Sequence, residues 1–155
     1  MCGKLNSLQI FEKFISTGLK PISGWDFSYI EDTGRTSMEP LTWSYSSQIL
    51  QRLPLMETLL DMDTGGGEFL LKLQPLPKNT FATEAYKPNL PIARRNLEPL
   101  DVSLCEYHDK NNLPFENQQF DMIINRHGSF TSKELYRILK FDGLFITQQV
   151  GGRNN

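Results

Sequence analysis

Three consecutive glycines between an apolar run and a helical segment constrain this chain more than any other feature. Residues 55–62 are mostly apolar and carry Asp61 near their end, residues 65–67 are glycine, and residues 68–73 predict a short helix. Glycine accepts positive φ without steric cost and lets a ligand approach the backbone. The pattern therefore predicts a strand, a binding loop and a helix, and a tight connection without a ligand is the alternative.

The same alternation of strand and helix continues along the chain. Further strands are predicted at 80–84, 101–105, 120–124 and 144–150. A helix is predicted from Pro88 to about Leu97, and another behind the capping-box spacing of Thr131 and Glu134, with Gly143 as its stop. Strands alternating with helices predict an α/β fold with a parallel, doubly wound sheet.

The first fifty residues differ from this pattern. They predict helices over 6–19 and 45–53 and place aromatic residues among turn residues. We expect an N-terminal helical and aromatic cap over 1–54 and the main domain over 55–155. The aromatic side chains either line a pocket or form a core between the cap and the sheet; they are Trp25, Phe27, Trp43 and Tyr45.

Composition excludes several classes of protein. The 155 residues carry 16 basic and 18 acidic side chains, a net charge of -2, which gives no electrostatic footprint for nucleic acid. No apolar run approaches the roughly 18 residues of a membrane helix, and the first residues lack the apolar core of a signal peptide. We expect a cytoplasmic protein without membrane contact.

Two cysteines and two histidines fit neither a disulfide framework nor a zinc site, so no metal is predicted; they are Cys2, Cys105, His108 and His127.

The residues after the glycines show whether the loop matches either of two known nucleotide-binding motifs. A P-loop needs Gly-Lys-Ser/Thr at this point, but Glu68 and Phe69 follow, and an acid there would repel phosphate. A dinucleotide fingerprint needs glycine or alanine three places after Gly67, where Leu70 stands. A nicotinamide-dependent oxidoreductase therefore stays only as an alternative.

Glu84, at the end of the second predicted strand, is the next candidate. A carboxylate at that position can accept hydrogen bonds from both ribose hydroxyls of an adenosine. The alternative is an exposed acid favoured by the dipole of the following helix. The glycine loop upstream favours the nucleoside interpretation.

Four segments of the chain, in this order, are similar to motifs of a known family. The chain resembles the class I S-adenosylmethionine-dependent methyltransferases, with an acid before a glycine loop, a second acid before a helix, a Leu-Pro-Phe segment before a strand, and a helix-turn-strand unit. The matching segments are 60–68, 83–96, 113–124 and 134–146. The family fold is a three-layer αβα sandwich around a Rossmann-like sheet. Residues 24–28 are also similar to the N-terminal segment of a bacterial subgroup.

The resemblance implies S-adenosylmethionine as cofactor and a set of binding residues. The implied cofactor-binding residues are Asp61, Gly65, Gly67, Glu84, Asp109 and Asn125. Asp61 would hold the loop, Glu84 would bind the ribose, and Asn125 would lie beside the methionine end. One position departs from the family pattern, because Asp63 stands where the first glycine of the loop is expected.

The family reaction is in-line attack of a nucleophile on a sulfonium methyl group, which depends mainly on alignment. Arg126 and His127 follow the fourth strand and are the candidate catalytic residues, as a partner for an acidic substrate and as a base. A packed loop histidine and a surface cation are the alternatives. The charge balance favours a small-molecule acceptor.

The chain ends soon after the fifth predicted strand, where the family continues with a helix and an antiparallel strand pair. We therefore expect a sheet truncated at its C-terminus and lacking that pair. An uncovered edge strand invites pairing with another chain, which predicts a homodimer through strand five. A catalytically incomplete cofactor-binding domain is the other alternative function.

Overall fold

The structure, a computed structural model, describes residues 6–18 and 42–151. Three short 3-10 turns lie at Leu53–Leu55, Lys87–Asn89 and Glu98–Leu100. The helices and strands of these ranges are α1 (Ser7–Gly18), α2 (Tyr45–Leu50), β1 (Thr58–Met62), α3 (Glu68–Lys72), β2 (Asn79–Glu84), α4 (Leu90–Leu97), β3 (Ser103–Glu106), β4 (Phe120–Arg126), α5 (Ser132–Ile138) and β5 (Leu139–Gln148).

The five strands form one sheet in the order β3-β2-β1-β4-β5. Every pairing between neighbouring strands in the described residues is parallel. The chain builds outward from β1 to β3 and then crosses to β4 and β5 on the other side of β1. The predicted α/β class with a parallel sheet is confirmed. In such sheets, ligands bind beyond the carboxyl ends of the strands where the order reverses, here between β1 and β4.

The sheet is covered on both faces, which gives three layers. Neighbouring residues of β1 alternate between the faces, so Leu59 and Leu60 are both fully buried but belong to different core clusters. One cluster packs α2, α3 and α4 against the sheet. The other packs α5 and the loop between β3 and β4, with Phe120 fully buried among edge-to-face aromatic neighbours. Burying each such large apolar side chain contributes about 2 to 3 kcal/mol.

Part of the predicted N-terminal cap packs on the sheet. Tyr45, Ile49 and Leu53 are buried in the first core cluster, whereas Trp43 is 46% exposed. Trp25 and Phe27 lie outside the described residues. In α1, every side chain that the structure describes is exposed. The boundary between cap and main domain stays a prediction.

Two local predictions around α5 are wrong. Thr131 is the N-cap residue of the helix, but its side chain makes no capping hydrogen bond and donates to the Lys110 carbonyl at 3.3 Å. Glu134 likewise accepts hydrogen bonds from Leu113 N and from Arg137, so the capping box is not formed. The helix ends at Ile138 and not near Gly143, since Leu139 already has extended backbone and pairs with Phe120. A helix and a strand therefore follow one another without a loop.

The pairing of β4 with β5 is irregular at its start. From Phe120 to Met122 on β4, the partner moves from Leu139 to Leu144 on β5. Within the described residues β5 pairs with β4 alone, and the homodimer through this edge stays a prediction. None of the helices in the described ranges has the length and apolar character needed to cross a bilayer.

Candidate functional site

The carboxyl ends of β1, β2 and β4 meet beside the point where the strand order reverses. A cavity of about 260 Å³ opens there. Its lining comprises three residues that follow or end β1, three residues of α3 and one residue at the end of β4: Asp61, Asp63, Thr64, Glu68, Phe69, Lys72 and Arg126. Acidic groups thus share this cavity with two cations and one aromatic ring.

The glycine loop after β1 depends on left-handed backbone. Gly65 has φ 66° and Gly67 has φ 82°, a region that costs other residues free energy. A Cβ at Gly67 would also lie 2.7 Å from Leu97 Cγ in α4. The Asn96 side chain donates a 2.8 Å hydrogen bond to the Gly66 carbonyl, so α4 fixes the loop from outside.

Asp61 is the buried acid at the base of this loop. Its side chain is only 4% exposed, and Oδ2 accepts a 2.7 Å hydrogen bond from the Thr64 hydroxyl. Burial raises the pKa of Asp61 to about 7; the Thr64 bond opposes the rise, and the charges of Asp63 and Glu84 add to it. The three carboxylates therefore act on one another electrostatically.

Glu84 lies at the end of β2, beside the glycine loop. The Thr64 amide donates a 2.9 Å hydrogen bond to the Thr83 carbonyl, which joins the loop to β2. Glu84 is 4% exposed; Oε1 accepts from Tyr86 N at 2.7 Å and Oε2 accepts from Asn89 Nδ2 at 3.2 Å. Both carboxylate oxygens are thus oriented by neighbours, and each retains a lone pair for a further donor.

Asp63 occupies a glycine-like position. It has φ 56°, and its Oδ1 accepts a 2.6 Å hydrogen bond from the Tyr107 hydroxyl. Its Oδ2 lies so close to the backbone of Gly128 that a Cβ there would overlap it. Burial raises the pKa of Asp63, the Tyr107 hydrogen bond opposes this, Glu84 adds to it and Lys110 lowers it. Asp63 therefore connects the loops that follow β1, β3 and β4.

Asn125 is fully buried near the end of β4. Its Nδ2 approaches the Met62 carbonyl at 3.4 Å, and its Oδ1 accepts from Gln149 Nε2 at 2.7 Å and from the Thr147 hydroxyl at 3.3 Å. Asn125 thus holds the ends of β1, β4 and β5 together at the edge of the site.

Arg126 and His127 differ in their relation to the cavity. Arg126 is exposed, lines the cavity, and lies with its guanidinium 6.0 Å from the centre of the Phe69 ring. His127 is half-buried at φ 63°, and its amide donates to the Gln148 carbonyl at 2.9 Å. Burial, followed by the charge of Arg126, lowers the pKa of His127. The described part of the cavity lining includes Arg126 and not His127.

Asp109 stands apart from the other predicted residues. It is exposed in the loop after β3, and its Oδ1 accepts from the amide and the side chain of Asn111 at 2.9 and 2.8 Å. These bonds lower its pKa. The structure therefore brings Asp61, Gly65 and Glu84 to one edge of the sheet, whereas Asp109 faces solvent. Its place among the cofactor-binding residues stays a prediction.

Several residues of the site are absent from the sequence-based set. Tyr107 follows β3 directly, so its place after a strand could have indicated it. Asn96 belongs to a helix and contacts the loop only through tertiary packing, and no local signal marks it. Phe69 stacks on Tyr45 with 5.2 Å between ring centres and forms an aromatic wall.

The donor set suits a zwitterionic, hydroxylated ligand. Carboxylates accept hydrogen bonds from hydroxyl and ammonium groups, and Arg126 across the cavity matches a carboxylate. Left-handed glycines leave backbone accessible to the ligand. In the ranges that the structure describes, no group of three acidic, histidine or cysteine side chains is arranged to hold a metal ion.

Known structures share this fold. A proposed S-adenosyl-L-methionine-dependent methyltransferase from Methanococcus maripaludis has a TM-score of 0.57 at 18% identity, over 73% of this chain and 68% of that one. A proposed methyltransferase from Bacillus halodurans has a TM-score of 0.58 at 24% identity, over 71% and 52%. Geranyl diphosphate C-methyltransferase from Streptomyces coelicolor, solved with S-adenosyl-L-homocysteine, has 0.55 at 16% identity, over 66% and 41%.

The chain spans about half the length of the Bacillus halodurans protein. At these identities the structural likeness shows the fold alone. No curated protein matches the chain. The sequence does match the profile of the family described as a methyltransferase domain over residues 60–147, which is more than half of the chain and reaches from within β1 to within β5. The chain therefore belongs to the methyltransferase domain family.

Proposed function

We propose that the site binds S-adenosylmethionine and that the chain takes part in methyl transfer to a small-molecule acceptor. The observation that carries this proposal is Glu84, a buried and oriented carboxylate at the end of β2, next to a left-handed glycine loop. Glu84 would accept the ribose hydroxyls, and the backbone at Gly65 and Gly67 would leave room for the ligand.

The methionine end of the cofactor would lie in the cavity between β1 and β4. Asp61 and Asp63 offer acceptors for an ammonium group, and Arg126 offers a partner for a carboxylate. Asn125 keeps the ends of the three strands in register beside them. When bound, the cofactor supplies an electrophilic sulfonium methyl group, so the contribution of these residues is to position it for in-line attack.

The acceptor is proposed to be small because the chain has a net charge of -2 and no basic excess. Arg126 would pair with an acidic acceptor if the cofactor carboxylate is held elsewhere. The roles predicted for Arg126 and His127 in catalysis stay predictions. The nicotinamide alternative is disfavoured by Leu70, which is fully buried in the core where that fingerprint needs glycine or alanine.

Calorimetric titration tests the proposal. We expect saturable binding of S-adenosylmethionine and S-adenosylhomocysteine, no binding of NADH, and at least tenfold weaker binding of the first two to Glu84→Gln, because the amide loses charge-assisted hydrogen bonds. Glu106→Gln is the matched control, since Glu106 is the register partner of Glu84 at the end of β3 and is exposed. Equal weakening in both variants, or binding of NADH alone, would contradict the proposal.

Methyl transfer needs a separate measurement. Turnover would be followed as S-adenosylhomocysteine release in the presence of a panel of small hydroxylated, amino and carboxylated acceptors. Cofactor binding without turnover on any acceptor would favour the catalytically incomplete binding domain.

A further inference from the structure

Asp63 is an acidic residue held where the backbone favours glycine. Its φ of 56° lies in the left-handed region, which costs a residue with a Cβ about 1 kcal/mol. The position is also the one at which the resembling family has the first glycine of its loop. A side chain is therefore kept at this point of the site in spite of an unfavourable backbone conformation.

Three elements hold Asp63 in place, two of them at its side chain and one at its backbone amide. Tyr107, after β3, donates a 2.6 Å hydrogen bond to Oδ1, and Gly128, after β4, leaves space for Oδ2. The Asp63 amide approaches the Thr83 hydroxyl in β2 at 3.3 Å. A carboxylate oriented in this way is preorganised, because it loses little further freedom when a ligand arrives.

The charges around Asp63 favour a cationic ligand. Asp61 and Glu84 are close enough to act on it electrostatically, and both are buried. The cations nearby are exposed: Lys72 and Arg126 line the same cavity, and Lys110 acts on Asp63 electrostatically. Exposed charges are screened by solvent more than buried ones, so negative potential dominates the floor of the cavity.

The proposed cofactor and its product differ by one charge. S-Adenosylmethionine carries a sulfonium, an ammonium and a carboxylate, whereas S-adenosylhomocysteine has a neutral thioether in place of the sulfonium. Interactions with the shared ammonium group raise the binding affinity of both ligands. A fixed negative charge on the cavity floor raises the affinity of the sulfonium ligand more than that of the thioether.

We propose that Asp63 is a specificity-determining residue that makes this site favour the sulfonium donor over its neutral thioether product. The inference rests on the proposed function, because it concerns the same cavity. Tyr107 acts as a positioning residue that orients the Asp63 carboxylate. The consequence for the reaction is that fresh donor displaces the product at a lower donor concentration.

The test compares dissociation constants and does not depend on turnover. Titration calorimetry would measure S-adenosylmethionine, S-adenosylhomocysteine and sinefungin, whose amino group carries the positive charge in place of the sulfonium. The variants are Asp63→Asn and Asp63→Gly. Asparagine tolerates left-handed backbone and can still accept from Tyr107, so Asp63→Asn changes the charge and keeps the shape.

Asp101→Asn is the matched control. Asp101 is also an aspartate in the left-handed region, with φ 54°, but it is exposed and precedes β3. In a parallel sheet that position lies at the edge opposite to the site. The substitution makes the same change in net charge and in backbone propensity.

We expect the ratio of the product to the donor dissociation constant to fall about tenfold in both Asp63 variants, with sinefungin following the donor and Asp101→Asn resembling the natural chain. An unchanged ratio in Asp63→Asn would overturn the inference and leave the proposed function standing. Tighter donor binding by either Asp63 variant would also overturn it, because Asp63 would then obstruct the cavity. If the folded natural chain binds none of the three ligands, the proposed function itself is overturned.

Discussion

The Thr64 hydroxyl donates a 2.7 Å hydrogen bond to Asp61 Oδ2, and this bond ties the first residue of the glycine loop to the buried end of β1. Thr64 is itself only 3% exposed. The bond is the one hydroxyl contact that the described residues provide to the Asp61 carboxylate. It offsets only part of the free energy that burial of the charge costs, because the pKa of Asp61 remains raised to about 7.

Stability should therefore fall as the pH rises through the acidic range, because of Asp61. The folded-state pKa of about 7 exceeds the ordinary value of 3.8, so between these values the folded chain binds more protons than the unfolded chain. The free energy of unfolding of Asp61→Asn relative to that of the natural chain should therefore be about 2 to 4 kcal/mol higher at pH 8 than at pH 4. Urea denaturation at both pH values measures this, with the exposed Asp142→Asn as control. A pH-independent difference between Asp61→Asn and the natural chain would contradict the prediction.

Asp121 should behave in the opposite way. Burial raises its pKa, but hydrogen bonds from Lys140, Thr58 and the Glu57 amide lower it to about 2. Its stabilising contribution is complete above the ordinary value of 3.8 and is lost as the pH falls through about 2. Asp121→Asn should cost about 1 to 3 kcal/mol at pH 7 and less at pH 3, measured by urea denaturation. Asp142→Asn is again the control, and an equal loss for Asp121→Asn at both pH values would contradict this account.

The guanidinium of Arg137 should be irreplaceable by an ammonium group. It donates to Glu134, to the Phe115 carbonyl at 2.7 Å and to the Leu113 carbonyl at 3.1 Å, which fixes the loop between β3 and β4 on α5. Lysine lacks the planar fork that reaches these acceptors together. Arg137→Lys should lower the free energy of unfolding by about 1 to 3 kcal/mol and speed proteolysis within residues 107–119.

The control for that variant is Lys133→Ala, which removes an exposed cation from the same helix. We expect it to change stability by less than about 0.5 kcal/mol. Unaltered proteolysis of the loop in Arg137→Lys would show that other contacts hold it.

Gly66 and Gly67 should respond differently to alanine. At Gly67 the left-handed backbone and the overlap with Leu97 both oppose a Cβ, so Gly67→Ala should cost about 2 to 4 kcal/mol. At Gly66 a Cβ meets only the end of the Glu68 side chain, which can rotate away. Gly66→Ala should therefore cost about 1 kcal/mol or less. Thermal and urea denaturation compare the two, and equal losses would contradict the assignment of the strain to Gly67.

The alternation of strands and helices could be predicted because each unit carries its own local signals. The run before Asp61, the glycines behind it and Glu84 at the next strand end mark the site edge by sequence alone. The bond from Tyr107 to Asp63 spans 44 positions and that from Asn96 to Gly66 spans 30. Such contacts follow from packing of whole elements, so no local pattern predicts them.

The start of β5 also depends on contacts between elements and not on the local sequence. Gly143 predicts the end of α5, but the helix already ends at Ile138 because Leu139 pairs with Phe120 of β4. Glu134 likewise carries a capping-box signal and serves the neighbouring loop instead. In both cases a hydrogen-bonding partner distant in sequence decides the outcome: β4 for Leu139 and the Leu113 amide for Glu134.

The irregular pairing at the start of β5 separates two parts of that strand. Residues 140–143 lie outside regular pairing, while the partners from Met122 and Leu144 onward keep an unbroken register up to Arg126 and Gln148. Lys140 is bound to Asp121, but insertions or deletions among residues 141–143 can be absorbed before the register resumes. Changes in chain length upstream therefore leave the alignment of Asn125 with Thr147 unchanged. The edge of the sheet that carries the site keeps its geometry for the same reason.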